Sequence, residues 1–205
     1  MKLFKSTRSF RLIVLIILLA GNTFAWFIYT TKVDSGISVH VKPWNVVFKA
    51  GEEEISSNIS INVSNIYPGM DTFTHEVTAY NNSELSATLS YKVLEANVLG
   101  DEYITKEGRA DRLEPPNDED ITSDALVNIL RTNYPFRILF SISNPIVNAN
   151  NGEENYSFDV IWPYEQNNDN LDTYWGIKAA EFKESYPDRP SITLKVKLSI
   201  IQNPS

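Results

Sequence analysis

The sequence predicts a mostly β protein: an antiparallel, two-sheet, jelly-roll-like sandwich with one or two short helices in its connections, preceded by a hydrophobic N-terminal segment. Three observations carry this expectation. Period-two alternation of apolar and polar residues dominates from Gly36 onward, which puts every second side chain on one face of a strand. Turn-forming pairs such as Pro68-Gly69, Asn81-Asn82, Asn144-Pro145 and Asn151-Gly152 fall between the alternating runs. The 205 residues are 42% hydrophobic and 12% aromatic, enough for a packed core.

The chain begins with Lys2, Lys5, Arg8 and Arg11, followed by the apolar run Leu12–Ala20 and then "GNTFAWF". Cations, an apolar stretch and small residues at Thr23 and Ala25 are the order of a secretory signal peptide, with cleavage expected between Ala25 and Trp26. A membrane span needs roughly 20 mostly apolar residues. One can be assembled here only by running through Gly21-Asn22-Thr23 and on to about Tyr29, so a retained anchor is the alternative. Both readings place the chain from Thr30 onward outside the cytoplasm, because the cations stay inside. The expected organisation is a leader over 1–25, an extended segment over 26–35 and a β-sandwich domain over 36–205.

Within the domain the first run is Gly36–Phe48, where Ile37, Val39 and Val41 alternate. It is either the protein's own first strand or a strand to be donated to another sheet. Ile59, Ile61 and Val63 form the next run, followed by Phe73, His75, Val77 and Ala79. Leu85 to Val93 and Phe136 to Ile142 continue the pattern, and the closing strand sets Ile192, Leu194, Val196, Leu198 and Ile200 on one side. Seven or eight such strands, with polar turns between them, describe two packed sheets. Ser123–Arg131 has helical offsets, as does Asp172–Tyr186, whose stripe is Trp175, Ala179, Phe182 and Tyr186, with Asp172 or Thr173 as cap. The acidic stretch Asp101–Asp120 reads as a long exposed insertion.

Charge and composition exclude several functions. Four of the 18 basic residues precede residue 12, which leaves 14 positive against 26 negative charges from Trp26 onward, or −12. Nucleic-acid binding by phosphate neutralisation does not fit that balance. With no cysteine there is neither disulfide nor thiol chemistry, which suits a bacterial exported domain. The two histidines, His40 and His75, sit in strand patterns, and there is no His-Glu-x-x-His or Gly-x-Ser-x-Gly motif. No enzyme and no cofactor is therefore expected. Calcium is the one metal to which the acidic loops around Asp118 to Asp120 with Asp124, Glu153-Glu154, and Asp169 with Asp172 offer oxygens, though none has the spacing of a calcium loop. Trp162, Tyr164 and Trp175 read as core or inter-sheet packing, with a sugar-stacking platform as the rival reading.

Three pieces of the sequence together resemble the TasA/camelysin family of extracellular bacterial proteins exported with SipW-type signal peptides. "AGNTFAWF" is similar to that family's cleavage region. "INVSNIYPGMDTFTHEVTAYNNSELSATLSYKV" resembles its strand, Pro68-Gly69 turn, strand, and Asn82-containing turn. "WPYEQNNDNLDTYWG" with "ITLKVKLSIIQ" is similar to a C-terminal pattern carried here by Trp162, Asp169, Asp172, Thr173, Gly176 and Gln202. The acid that follows the family's turn is displaced by Met70 to Asp71. The resemblance implies a jelly roll, processing by signal peptidase, and a place on the cell surface or in the biofilm matrix. The partner it implies is the protein itself or a related matrix protein, in some relatives through donation of the N-terminal strand to the next subunit. The membrane enters as the export route or through a retained anchor, and an anchored, adhesin-like binding module is the competing reading. Camelysin-like metallopeptidase activity is also implied, but two distant histidines give it no ligand set.

Overall fold

The computed structural model describes residues 45–115, 117, 119–164 and 169–203. The leader residues Thr23, Ala25 and Trp26 and the candidate donor residues Ile37, Val39 and Val41 lie outside these.

Among the described residues ten strands and three helices follow one another: β1 (Val46–Ala50), β2 (Glu53–Ile55), β3 (Asn58–Val63), β4 (Phe73–Asn81), β5 (Ala87–Val98), β6 (Asp101–Ile104), α1 (Lys106–Asp111), α2 (Ser123–Thr132), β7 (Arg137–Ile142), β8 (Ile146–Val147), β9 (Gly152–Ile161), α3 (Asp169–Ser185) and β10 (Ile192–Gln202). One sheet has the order β2-β1-β4-β9-β7; the other runs β3-β10-β5-β6, with β8 also on β5. Every named strand pair is antiparallel. The fold is thus a two-sheet β sandwich, and the chain passes repeatedly from one sheet to the other.

Alternation is the cause of this architecture. On β10, Ile192, Leu194, Val196 and Leu198 are at most 2% exposed, whereas Lys195 between them is exposed. Val77 and Ala79 on β4 and Tyr156, Phe158 and Val160 on β9 face the same core. Each large side chain so buried contributes roughly 1.5–3 kcal/mol, and no disulfide supplements that term. Tyr156 adds a polar tie between the layers. Its hydroxyl, on β9 in one sheet, lies 3.1 Å from the Ser199 carbonyl and 3.3 Å from the Ser90 carbonyl in the other.

Several expected details are corrected. β5 starts at Ala87 rather than Leu85, and β7 starts after Phe136. Residues Val46–Phe48 of the candidate donor run belong to β1, held between β2 and β4. Asp101–Asp120 is no loose insertion: Asp101–Ile104 is β6, and Lys106–Asp111 is α1, docked on β5.

The docking rests on a β-bulge. Lys195 pairs with Glu95 and Val196 with Val93, so Leu94 is an extra residue on β5. Thr105, the N-cap of α1, donates its amide to the Leu94 carbonyl at 3.0 Å, and its hydroxyl reaches the Val93 and Leu94 carbonyls. Ser123, the first residue of α2, accepts the Val93 amide at 2.8 Å. The bulge's orphan groups are thereby satisfied by the two helix starts. Gly108 of α1 comes so near that a Cβ there would stand 2.2 Å from the Leu94 oxygen.

Ion pairs hold the outer side of α1. Arg112 grips Glu95 through two bonds of 2.6 Å, Lys195 also reaches Glu95 at 2.9 Å, and Lys197 bonds Asp111 at 2.7 Å. Burial opposes ionisation of Glu95, but the hydrogen bonds and charges of Arg112 and Lys195 outweigh it and hold the carboxyl below its ordinary range.

Candidate functional site

Two places combine residues singled out by the sequence with surface: the Pro68-Gly69 turn against α3, and the outer edge of β3.

Tyr67 to Met70 form a β-turn closed by the Met70 amide on the Tyr67 carbonyl at 3.2 Å. Proline second and glycine third suit a turn whose third residue needs positive φ, and Gly69 has φ +78°. The Gly69 amide donates to the Trp162 carbonyl at 2.8 Å. A Cβ on Gly69 would meet Tyr164 at 3.0 Å, while Gly176 of α3 passes Pro68 at ordinary contact distance. Trp162 is fully buried, and its indole N–H donates to Asp172 at 2.8 Å. Around it, Phe136 lies 5.0 Å from Trp162 and 6.2 Å from Trp175 between ring centroids, and Tyr134 lies 4.9 Å from Trp175. Burial, and a 2.9 Å hydrogen bond with Tyr103, push the Tyr134 phenol far above its ordinary value.

Pro68, Gly69, Trp162, Asp172 and Gly176 thus meet, although the chain separates the turn from the C-terminal motif. The other named positions do not join them. Asp169 and Thr173 are exposed on α3, Gln202 is exposed at the end of β10, and Asn82 is an exposed turn residue whose amide donates to the Asn45 carbonyl. Asp172 is not the helix cap that the sequence predicts: α3 begins at Asp169, so Asp172 falls inside the first turn and its carboxylate serves the indole. Its stripe also ends sooner, with Tyr186 beyond the helix and exposed. Trp162 is core, Trp175 is half-buried, and Tyr164 departs from the expectation with 77% exposure. A sugar cannot stack on Trp162.

The sheet edges differ among themselves. β2, with Glu53 and Glu54, and β6, with Asp101 and Glu102, are short and acidic, as protected edges are. β3 is six residues long, carries no charge, and among the described residues shares a ladder only with β10. Half-buried Phe48, Ile55 and Ile59, on β1, β2 and β3, pack against the core. The openness of β3 had no signal in the sequence, because strand order is a property of the assembled sheet.

For chemistry the inventory is short. Among the described residues no three His, Cys, Asp or Glu side chains gather as a metal site, and no helix is long and apolar enough to cross a membrane. Asp120, one of the acids considered for calcium, is held by Arg109. His75 is half-buried on β4, with its ring 6.4 Å from that of Phe158. Compared with protein-family models, with curated proteins and with solved structures, the chain has no match.

Proposed function

We propose that this chain is a secreted or cell-surface structural protein of a bacterial extracellular matrix, working by association with further copies of itself or a related protein. The observation that supports this reading best is the uncharged outer edge of β3, which no other strand among the described residues occupies. The outward N–H and C=O groups that no described strand pairs are a template for one more strand. The alternating Ile37, Val39 and Val41 have the pattern such a strand needs, with one face apolar for the core and one polar for solvent. Donation of this segment to the β3 edge of a neighbour makes a head-to-tail contact, which extends into filaments when the rotation does not close. The leader's sequence, with export expected whether it is cut or kept, places that work outside the cytoplasm.

Electron microscopy and analytical ultracentrifugation of the chain starting at Trp26 test the proposal. The expected result is extended assemblies that are lost in Val39→Asp, which spoils the apolar face of the donor, and in Ser60→Lys, which places a charge on the β3 edge. Wild-type assemblies in both variants, or a wild type that stays monomeric, would count against it. Mass spectrometry of the native N-terminus separates a secreted form beginning at Trp26 from an anchored one that retains Met1 or Lys2.

A further inference from the structure

We propose that the cleft beneath the Tyr67–Met70 turn is a binding site for a neutral saccharide unit. The cleft has a volume of about 300 Å³ and lies between the end of β3, the turn and the start of β4. That is at the small end of ligand pockets, which run from roughly 300 to 1,000 Å³.

Two kinds of surface line it. Tyr67, Met70 and Phe73 supply apolar and aromatic area, and Ser64, Asn65 and Asp71 supply hydroxyl, amide and carboxylate. Sugars present the same mixture, C–H faces that stack on rings and hydroxyls that donate and accept. No lysine or arginine lines the cleft, and the Asp71 carboxylate disfavours an anionic ligand there. Among the described residues, the side chains of Ser64, Asn65, Tyr67 and Asp71 make no hydrogen bond to another protein group. On β4 beside the cleft, Thr74 bonds Asp159 and Thr78 bonds Asn155, both at 2.7 Å. Here the donors and acceptors remain available.

The turn is also rigid. It is closed on itself, bonded to the Trp162 carbonyl through Gly69, and backed by Tyr164 and Gly176. Tyr67, 56% exposed, therefore stands at the mouth on a backbone that needs no further ordering on binding. This inference does not rest on the association reading, since the site is complete within one chain.

The test titrates the chain starting at Trp26 with cellotetraose and, separately, chitotetraose, read by isothermal titration calorimetry and by saturation-transfer NMR. At least one tetrasaccharide binds, and Tyr67→Ala weakens it about tenfold, the upper range of one aromatic contact. Asp71→Asn weakens it less, and Tyr186→Ala, an exposed tyrosine beyond α3 that neither lines the cleft nor backs its turn, leaves affinity unchanged. Melting temperatures of the variants establish that they fold. Absence of binding by both sugars in the millimolar range overturns the proposal. So does binding that folded Tyr67→Ala and Asp71→Asn retain at wild-type strength. Loss of filaments in Val39→Asp with intact sugar affinity would leave this site standing.

Discussion

The indole nitrogen of Trp162 donates to the carboxylate of Asp172 across 2.8 Å, and neither residue is more than 8% exposed. The bond joins the segment after β9 to the first turn of α3, where the helix dipole favours a negative group. On the other side of Trp162, its carbonyl accepts the Gly69 amide. One residue therefore ties helix, strand end and Pro-Gly turn together.

Asp172→Ala leaves a buried indole N–H without an acceptor, a loss of about 1–3 kcal/mol. At roughly 2–4 °C per kcal/mol for a chain of this size, the melting point falls by several degrees. Asp172→Asn keeps an acceptor and loses less. Thermal unfolding by circular dichroism reads both, and an alanine variant that melts with the wild type would deny the bond its anchoring role.

Two helical glycines separate close approach from helix propensity. Alanine is favoured over glycine within a helix by about 1 kcal/mol. At Gly176 the added Cβ meets Pro68 only at 3.7 Å, so Gly176→Ala raises the melting point. At Gly108 the same Cβ would stand 2.2 Å from backbone, and the collision reverses the sign, costing more than about 2 kcal/mol net. Equal shifts in denaturant midpoint for the two variants would show that α1 does not sit where the bulge places it.

Strand identity was legible because each inward side chain obeys the period of two, and β10 follows it from Ile192 to Leu198 without a break. β5 defeats the rule at Leu94, where an extra residue shifts the phase and nothing in the letters marks it. The acidic run Asp101–Asp120 looked like solvated insertion because charge was weighed without partners. Arg109 takes Asp120, Lys197 takes Asp111, and Thr105 satisfies the bulge. The Pro68-Gly69 turn and Trp162, Asp172 and Gly176 were each readable as motifs. Their meeting was not, since it depends on which sheet each segment joins. Nothing in the letters marks Tyr67 for the same reason, because its cleft exists only where β3, the turn and β4 converge.

Tyr156→Phe removes the hydroxyl that bridges the sheets at 3.1 and 3.3 Å while keeping the ring in the core. The expected loss is about 0.5–1.5 kcal/mol, because Ser90 and Ser199 keep their ladder partners. Desolvation pushes the phenols of Tyr156 and Tyr134 far above their ordinary value of 10.0. Spectrophotometric titration of the folded protein therefore shows both as protonated at alkaline pH and ionising only on unfolding. Replacement of either residue by phenylalanine that removes an early-titrating signal would contradict this.

Acid acts on the ion pairs that clamp α1. Burial disfavours the Glu95 carboxylate, yet bonds from Arg112 and Lys195 bring its folded pKa below the ordinary 4.5. A depressed folded pKa contributes stability that is present above the unfolded value and is lost as pH falls through the folded one. Lys197 depresses Asp111 in the same direction, on the exposed side of the same helix. Glu95→Gln removes the charge while keeping the shape, so the variant is less stable than wild type at about pH 7, on the order of 1 kcal/mol. Below 4.5 the wild type loses what the variant never had, and the two stability curves converge as pH falls further through the lowered folded pKa. Urea midpoints measured across that range decide the matter: parallel curves would mean that Glu95 is not the carboxylate through which acid loosens α1.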